Sequence, residues 1–276
     1  MFSVVIPLYN KELSIHNTIQ SVLEQTYQEF EIIVIDDGST DNSAERVREI
    51  SDSRIKLVQQ KNQGVSAARN RGIKESRFEW IALLDGDDLW EPNHLKEILK
   101  MMHEFPDKKV YVTSFKYSDN REMYKHSRLS PIFKIENYFR EALKEKLVWT
   151  SIVVIHKSCF DVIGGFNVKL SRGEDLDLWE RLAEKFDIIK SDTVTAIYRV
   201  EAENRSFQIS SFDIRKSSLY YYDFTQPLTD DQFNYYKHKL INACRTFIRR
   251  GDIKSFIMLY KKYRPYISLL RVLKIK

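Results

Sequence analysis

The chain has 276 residues, which is long enough for one large domain or for one domain with an appendage. Its 43% hydrophobic and 30% charged residues describe an ordinary soluble globular protein, and its net charge of +5 is modest. No apolar run approaches the roughly 18 residues that a membrane span needs, so the sequence predicts no membrane-spanning helix.

The N-terminus and the cysteines indicate a cytoplasmic protein. A strand-like run at residues 2–8 has no basic region or cleavage site before it, so no signal peptide is predicted. Cys159 and Cys244 are far apart and have no metal or redox spacing. Such cysteines suit a reducing cytosol, and we expect both of them in the core.

Short apolar runs alternate with helical patterns through the first hundred residues. The apolar runs predict strands at residues 3–7, 32–35, 55–58 and 81–84. Between them, the spacing of apolar residues predicts helices at residues 12–25, 43–50 and 64–73. Asn10 is the expected N-cap of the first helix, and Asn42 with Glu45 resembles a capping box for the second. Strict alternation of this kind predicts a parallel, doubly wound α/β sheet.

The second part of the chain is less regular. The patterns predict helices at residues 95–102 and 175–186, and strands at residues 110–117, 149–155 and 194–200. Residues 118–147 show no clean period and are expected to form a loop and a helix near residues 138–146. From about residue 210 the pattern becomes helical and rich in Tyr, Phe, Lys and Arg, which predicts a helical extension.

Polar residues follow three of the predicted strands. They are Tyr9–Asn10, Asp36–Asp37 and Asp85–Asp88. Ligands bind at the carboxyl ends of parallel strands, where these residues would meet at one edge of the sheet. A shared ligand explains three such clusters better than three unrelated turns do, so we expect one binding site there.

The third cluster, Asp85-Gly-Asp-Asp88, places three carboxylates within four residues. These carboxylates repel one another and resist burial, so another group must compensate their charge. A hard divalent cation carried by a phosphate ligand does so, because Mg²⁺ or Mn²⁺ binds one or two carboxylates together with substrate phosphates. The alternative is a solvated turn in which Asp87 or Asp88 caps the next helix.

Six motifs, in order, resemble the motif set of the family 2 glycosyltransferases. The motifs are Val4-Val-Ile-Pro-Leu-Tyr-Asn10, Asp36-Asp-Gly-Ser-Thr-Asp41, Gly64-Val-Ser-Ala-Ala-Arg-Asn70, Leu84-Asp-Gly-Asp-Asp-Leu-Trp90, Gly164-Gly-Phe166 and Gly173-Glu-Asp-Leu-Asp-Leu-Trp179. The resemblance covers roughly residues 1–205 and implies the GT-A fold, a Rossmann-like, mostly parallel sheet flanked by helices. It implies a catalytic domain at 1–209, with a nucleotide-binding half at 1–100 and an acceptor-binding half at 101–209. Residues 210–276 are then a basic, helical C-terminal extension.

The resemblance also implies roles at a nucleotide. Asp37 matches the residue that reads uracil, whose imide N–H a carboxylate accepts strongly. Tyr9 matches the aromatic residue that stacks on the base, and Asp85 matches the ribose-binding aspartate. The implied nucleotide-binding set is completed by Pro7, Glu12 and Arg69. As structural alternatives, Asp37 could be a turn residue, Tyr9 a packing residue and Arg69 a solvated cation.

For the chemistry, the resemblance implies an inverting, metal-dependent transfer. Asp87 and Asp88 are the implied ligands of Mn²⁺ or Mg²⁺, which would stabilise the charge on the leaving diphosphate. Asp175 matches the general base that deprotonates the acceptor hydroxyl, and its alternative role is to cap the helix that follows. Many family members carry a histidine after the last strand, whereas this chain has Glu201, a carboxylate that can still bind a hard cation.

Residues 245–276 hold ten Lys or Arg against one acid, Asp252. Apolar and aromatic residues lie between these charges, and basic amphipathic helices of this type bind anionic membrane surfaces. The alternative is a helical cap packed on the catalytic domain or on a partner subunit. No recognised nucleic-acid-binding module accompanies the charge, so nucleic-acid binding is not expected.

The resemblance, together with the basic extension, therefore implies a cytoplasmic glycosyltransferase, peripheral on the cytoplasmic membrane face, that moves a hexose or N-acetylhexosamine from a UDP-sugar to a glycan hydroxyl. The expected acceptors are capsule, lipopolysaccharide or lipid-linked oligosaccharide precursors, and residues 110–160 are expected to shape their site. Two alternatives stay open. A sugar-nucleotide-forming nucleotidyltransferase would want a glycine-rich loop in place of residues 7–12. The other is a non-catalytic nucleotide-sugar or glycan-binding protein.

Overall fold

The computed structural model describes residues 1–121, 130–204 and 213–273. Its strands are Phe2–Leu8 (β1), Phe30–Asp36 (β2), Ile55–Gln59 (β3), Trp80–Leu83 (β4), Leu89–Trp90 (β5), Val110–Tyr117 (β6), Ile132–Lys134 (β7), Val153–His156 (β8) and Ile188–Tyr198 (β9). Its helices are Ile15–Leu23 (α1), Ser43–Arg48 (α2), Val65–Glu75 (α3), His94–Glu104 (α4), Tyr138–Glu141 (α5), Ser158–Ile163 (α6), Glu174–Lys185 (α7), Asp230–Arg249 (α8), Ile253–Tyr263 (α9) and Leu269–Leu273 (α10).

The strands form one mixed sheet. In the part of the chain that the structure describes, the strand order is β3-β2-β1-β4-β8-β6-β9-β5, and β7 pairs with β9 outside this path. β1 pairs in parallel with β2 and β4, and β2 pairs in parallel with β3. β8 runs antiparallel to β4 and β6, whereas β6 and β9 are parallel. The predicted α/β sheet flanked by helices is confirmed; it is parallel through β4 and mixed beyond it.

Helices cover both faces of the first half of the sheet. β2 is buried at all seven positions, as expected for a strand enclosed on both sides. α1 buries Ile15, Ile19 and Val22, whose spacing places them on one face of the helix. Cys159 and Cys244 are both fully buried, so their predicted place in the core is confirmed. This packing fixes the carboxyl ends of β1, β2 and β4 along one edge.

The starts of the first two helices differ from the prediction. α1 begins at Ile15 with Ser14 as its N-cap residue. Asn10 cannot cap it, because Asn10 has a left-handed φ of 51° and accepts a hydrogen bond from Thr40 N (2.8 Å). Asn42 does precede α2, but its side chain makes no capping hydrogen bond, so the predicted capping box is wrong.

Two strand starts were also predicted wrongly. β9 begins at Ile188, six residues before its predicted start. The prediction missed these residues because the polar Lys190 interrupts the apolar pattern. Its ammonium is nevertheless buried and donates to the carbonyls of Thr113 and Leu147 (3.1 Å each). Trp149 precedes a 3₁₀ turn at Thr150–Ile152, so β8 starts later than predicted. Residues 122–129 of the predicted loop lie outside the described residues.

The C-terminal helices share a core with the sheet-containing part. Trp179 of α7, Tyr235 and Leu240 of α8 and Leu259 of α9 belong to one buried apolar cluster. That cluster also contains Leu83 of β4, so apolar packing is continuous from the sheet to the extension. The predicted junction between the two parts lies outside the described residues.

Glu180 of α7 is buried at this interface, where Tyr222 donates a hydrogen bond to its Oε1 (3.1 Å). Burial raises the pKa of Glu180 from 4.5 to about 8, against the opposing effect of Lys239. The folded protein therefore keeps this proton at pH values where the unfolded chain has released it. The resulting stability is complete below the unfolded pKa and is lost as the pH rises toward 8, by up to about 1.4 kcal/mol per pH unit.

Replacing Glu180 by glutamine should remove this pH dependence, because the amide stays neutral and its oxygen can still accept from Tyr222. We expect the wild type to lose more stability than Glu180→Gln between about pH 5 and about pH 8, measured by urea unfolding. Equal losses in both proteins would show that Glu180 does not carry the proton.

Candidate functional site

A cavity of about 630 Å³ opens at the carboxyl ends of β1, β2 and β4. Of the predicted site residues, those that line it are Pro7, Tyr9, Asp37, Arg69, Asp85, Asp87, Asp88 and Asp175. Glu12 does not line it, because its Oε2 accepts a hydrogen bond from Asn42 N (2.9 Å) at the start of α2. A larger cavity of about 720 Å³ lies between α7 and α8, and none of the predicted residues lines that one.

Asp37 is buried directly after β2 and holds the loop that leads into α3. Its Oδ1 accepts hydrogen bonds from Gln60 Nε2 (2.8 Å) and Gln63 N (2.9 Å), and its Oδ2 accepts one from Gly64 N (2.7 Å). A carboxylate oxygen can accept two hydrogen bonds, so Oδ2 retains capacity for one more donor. Tyr9 is 41% exposed, which leaves its ring accessible to a ligand in the same cavity.

Arg69 of α3 joins the two acidic sides of the cavity. Its guanidinium donates to Asp85 Oδ1 (2.7 Å) and to Glu174 Oε1 (3.1 Å), and only 4% of the residue is exposed. Burial alone would lower the pKa of Arg69, but the carboxylates of Asp85 and Glu174 outweigh it and raise the pKa. The structure therefore excludes the solvated-cation alternative and makes Arg69 a fixed positive charge between β4 and α7.

Asp87 is paired with a lysine that the sequence reasoning did not identify. Lys11 Nζ lies 2.7 Å from Asp87 Oδ2 and also donates to the backbone oxygens of Glu203 and Asn204. Gly86 allows this turn to approach the sheet, because a Cβ there would lie 2.9 Å from a backbone oxygen of β1. The charge of Asp87 is thus balanced by an ammonium group that contacts three oxygen atoms.

Asp88 is 2% exposed and holds the loop together. Its Oδ2 accepts a hydrogen bond from Ser151 Oγ (2.7 Å), and its Oδ1 accepts one from Arg199 N (3.3 Å). Burial, followed by repulsion from the two neighbouring aspartates, raises the pKa of Asp88 well above its ordinary value. The next helix, α4, has Asn93 as its N-cap residue, so the predicted capping alternative is wrong.

Asp175 lies in the first turn of α7 and is half-buried. Its Oδ1 accepts a hydrogen bond from Leu176 N (2.8 Å), and the second oxygen can still accept a proton. The neighbouring acids are engaged elsewhere: Glu174 contacts Arg69, and Asp177 forms an ion pair with Arg181 (2.6 Å). Burial raises the pKa of Glu174, in spite of the nearby guanidinium.

Several cavity residues were missed by the sequence reasoning. Among the described residues, the further cations on the cavity wall are Lys11, Lys146 and Arg172. Lys11 directly follows the motif that ends at Asn10, and Arg172 directly precedes the motif that begins at Gly173, so their positions next to these motifs could have indicated them. Lys146 lies in the irregular stretch, and only the fold brings its ammonium to 5.6 Å from the ring centres of Trp149 and Tyr198.

Glu201, at the position of the family's histidine, does not line the cavity. Its carboxylate accepts hydrogen bonds from Ser118 Oγ (2.5 Å) and Arg199 Nε (3.0 Å). Across residues 1–121, 130–204 and 213–273, no group of three or more His, Cys, Asp or Glu is arranged to hold a metal ion. Within the same ranges, no helix combines the length and the apolar character needed to cross a membrane.

Comparison with known sequences gives a consistent family. Residues 3–164 match the model described as "Glycosyl transferase family 2". The UDP-Glc:alpha-D-GlcNAc-diphosphoundecaprenol beta-1,3-glucosyltransferase WfgD of Escherichia coli is 30% identical over 221 residues, which cover 79% of each chain. An uncharacterized glycosyltransferase of Rickettsia conorii is 32% identical over 92% of this chain, which spans only 42% of that relative.

Solved structures share the fold. S. aureus TarS 1-349 in complex with UDP-GlcNAc has a TM-score of 0.66 at 17% identity, covering 97% of this chain and 93% of TarS. The mannosyltransferase PcManGT of Pyrobaculum calidifontis, solved with GDP-Man and Mn²⁺, has a TM-score of 0.56 at 19% identity, covering 71% and 56%. At these identities the likeness concerns the fold alone, and it agrees with the predicted GT-A architecture.

Proposed function

Because the chain belongs to the family 2 glycosyltransferases, we propose that it moves a sugar from a UDP-sugar to a hydroxyl of a surface-glycan precursor. We infer further that the transfer is metal-dependent and inverts the anomeric centre. One observation carries the proposal: the residues that follow β1, β2 and β4 line the same cavity as Asp175. The family match decides against the nucleotidyltransferase and the non-catalytic alternatives.

The nucleotide side of the cavity supports a uridine donor. Asp37 offers a carboxylate oxygen to the uracil imide N–H, and the exposed ring of Tyr9 offers a surface for the base. We assign the ribose hydroxyls to Asp85, whose carboxylate is held by Arg69. One relative agrees with this choice, because the E. coli enzyme WfgD is named for a UDP-Glc donor.

The acids after β4 fit a divalent cation carried by the donor. Asp88 is buried beside two further aspartates, and burial, followed by repulsion from these neighbours, raises its pKa. Mg²⁺ and Mn²⁺ bind one or two carboxylates together with phosphates and waters. We therefore assign the cation to Asp87, where Lys11 already places a positive charge, and Asp88 remains a second predicted ligand. Bound there, the cation would neutralise the leaving diphosphate.

Asp175 is the proposed general base. The acceptor hydroxyl must lose a proton as it attacks the anomeric carbon from the face opposite the diphosphate, and a carboxylate beside it can accept that proton. Because Glu174 and Asp177 are held in ion pairs, Asp175 is the acid of this turn that is available for proton transfer. One displacement with one base inverts the configuration.

The outer face of the C-terminal helices supports an acceptor presented on a lipid. The exposed large apolar residues of α9 and α10 are Ile253, Ile257, Leu269, Leu270 and Leu273. The exposed basic residues among them are Lys254, Lys261, Lys262, Arg264 and Arg271. Apolar side chains within a basic surface bind anionic bilayers, at about 1 kcal/mol per basic residue near the surface. Residues 274–276 of the predicted membrane-binding stretch lie outside the described residues.

We propose that this face binds the cytoplasmic leaflet, in line with the diphosphoundecaprenol named for the acceptor of WfgD. The wild type should sediment with phosphatidylglycerol vesicles but not with phosphatidylcholine vesicles, and Ile257→Asp should weaken this binding. Equal sedimentation with both kinds of vesicle would contradict an electrostatic membrane face.

A panel of nucleotide sugars tests the donor without knowledge of the acceptor. We expect slow hydrolysis of at least one UDP-sugar. We expect Asp87→Asn to abolish this hydrolysis, because the cation that would neutralise the leaving diphosphate then loses its proposed carboxylate ligand. Hydrolysis confined to GDP-sugars or dTDP-sugars would overturn the uridine assignment. Absence of hydrolysis and transfer across the panel would count against the enzyme activity proposed here.

A further inference from the structure

The C-terminal extension makes backbone contacts with the residues just before the helical turn that carries Asp175. Ser171 N and Arg172 N both donate to Lys216 O, at 2.8 Å and 3.3 Å, and Ser218 N donates to Arg172 O at 3.1 Å. Arg172 and Ser217 form a parallel bridge between the two segments. Residues 216–218 therefore pair with the two residues that precede Gly173, directly before α7 begins.

The side chain of Ser218, in the same segment, packs against Gly173. Gly173 has a left-handed φ of 70°, and a Cβ placed on it would lie 2.3 Å from Ser218 Oγ. Ser218 is 4% exposed, and its hydroxyl has no hydrogen-bond partner among the described residues. The hydroxyl thus occupies the space that a side chain at residue 173 would need, so the contact is steric.

Helices α7, α8 and α9 in turn hold the segment that follows residue 218. The ring of Tyr222 stacks on that of Tyr236 with centres 4.2 Å apart, and its hydroxyl donates to Glu180. Tyr263 donates its hydroxyl hydrogen to Tyr222 O (3.0 Å), and Lys262 donates to Tyr220 O. Residues 216–218 therefore lead directly into a segment that α8 and α9 of the extension hold together with Glu180 of α7.

We propose that residues 216–218 set the position of the base, with Gly173 and Ser218 as positioning residues. This inference rests on the proposed role of Asp175. Besides its proposed membrane-binding face, the extension then has a second role. It holds the first turn of α7 so that the Asp175 carboxylate faces the cavity. Displacing a reacting group by about 1 Å costs on the order of 10²-fold in rate, so a small movement of this turn has a large effect.

Gly173→Ala is the test variant, and Gly251→Ala is its matched control. Both glycines have a left-handed φ (70° and 72°), but no atom lies within 4 Å of a Cβ at residue 251. Both variants therefore introduce similar backbone strain, and only Gly173→Ala displaces Ser218. We expect kcat for transfer to fall at least about tenfold in Gly173→Ala, with an unchanged dissociation constant for UDP, and to stay near wild type in Gly251→Ala.

The double variant Gly173→Ala/Ser218→Ala supplies a rescue. Without the hydroxyl, the nearest atom to the new Cβ is Ser218 Cβ at 3.4 Å, an ordinary contact, so most of the lost kcat should return. Hydrogen exchange provides a readout that is independent of catalysis. The amides of residues 171 and 172 should exchange at least about tenfold faster in Gly173→Ala than in Gly251→Ala, and should recover in the double variant.

Unchanged exchange at residues 171 and 172 in Gly173→Ala would overturn the inference, as would equal losses of kcat in the two single variants or a double variant without recovery. If the exchange rates respond as expected while the wild type transfers no sugar from any donor, the positioning contact stands and the proposed function fails. The two failures are therefore distinguishable.

Discussion

Asparagine in place of Asp175 is expected to lower the rate of sugar transfer by about 10²- to 10⁴-fold. The side chain keeps its shape and can still accept the hydrogen bond from Leu176 N, but an amide cannot take the proton of the acceptor hydroxyl. The affinity for UDP should change by less than about twofold, because Asp37 and Asp87 carry the proposed nucleotide contacts. Single-turnover rates and calorimetric titration with UDP measure the two effects separately.

Asp177→Asn is the matched control for this experiment. Asp177 lies in the same helical turn, but it pairs with Arg181 and does not line the cavity. Both substitutions remove a negative charge from the start of α7, so both lose a similar helix-dipole contribution of roughly 0.3–1 kcal/mol. The rate of sugar transfer should fall strongly in Asp175→Asn and stay near the wild-type rate in Asp177→Asn. Near-wild-type transfer by Asp175→Asn would mean that another group is the base.

Replacing Arg69 by methionine is expected to have the largest effect on stability, with the free energy of unfolding falling by about 3 kcal/mol. The guanidinium is buried between Asp85 and Glu174, and its loss leaves two partly buried carboxylates without a cation. Breaking a buried ion pair typically costs 3–5 kcal/mol. We expect the lower end, because the Asp85 side chain is 24% exposed and water can partly compensate it.

Arg71→Met is the control, because Arg71 lies two residues further along α3 and pairs with Glu75 at 2.7 Å on the surface. Its side chain is 46% exposed, and we expect a change within about 0.5 kcal/mol. Urea unfolding of the two variants measures the difference. If both variants lose a similarly small free energy of unfolding, the ion pairs of Arg69 with Asp85 and Glu174 do not stabilise the protein as proposed.

The edge of the sheet that carries the site could be predicted because it obeys local rules. Each apolar strand ends where polar residues begin, and the alternation with helices makes the strands parallel, so their ends must meet. Asp37, Asp85 and Asp87 accordingly line one cavity, as predicted. The position of Glu12 could not be predicted in this way, because no local pattern indicates that its carboxylate accepts a hydrogen bond from Asn42 N at the start of α2.

The remaining parts of the site depend on contacts between distant segments. Lys11 meets Asp87 only through the fold, and Lys146 reaches the cavity from a stretch without a period. The partner of Asp88 likewise depends on a tertiary contact, because its carboxylate accepts a hydrogen bond from Ser151 and does not cap a helix. The contact of Gly173 with Ser218 joins two segments that no local pattern relates, so the sequence predicted a helical extension but not its place beside the base.

Calorimetric titration of the wild type with UDP, in the presence and in the absence of Mn²⁺, tests the central claim most directly. The claim is that the polar residues after β1, β2 and β4 form one site for a nucleoside diphosphate and its cation. We predict that UDP binds at least about tenfold more tightly with Mn²⁺ than without it, and that Asp87→Asn removes the difference. Equal affinity of the wild type with and without Mn²⁺ would contradict the claim.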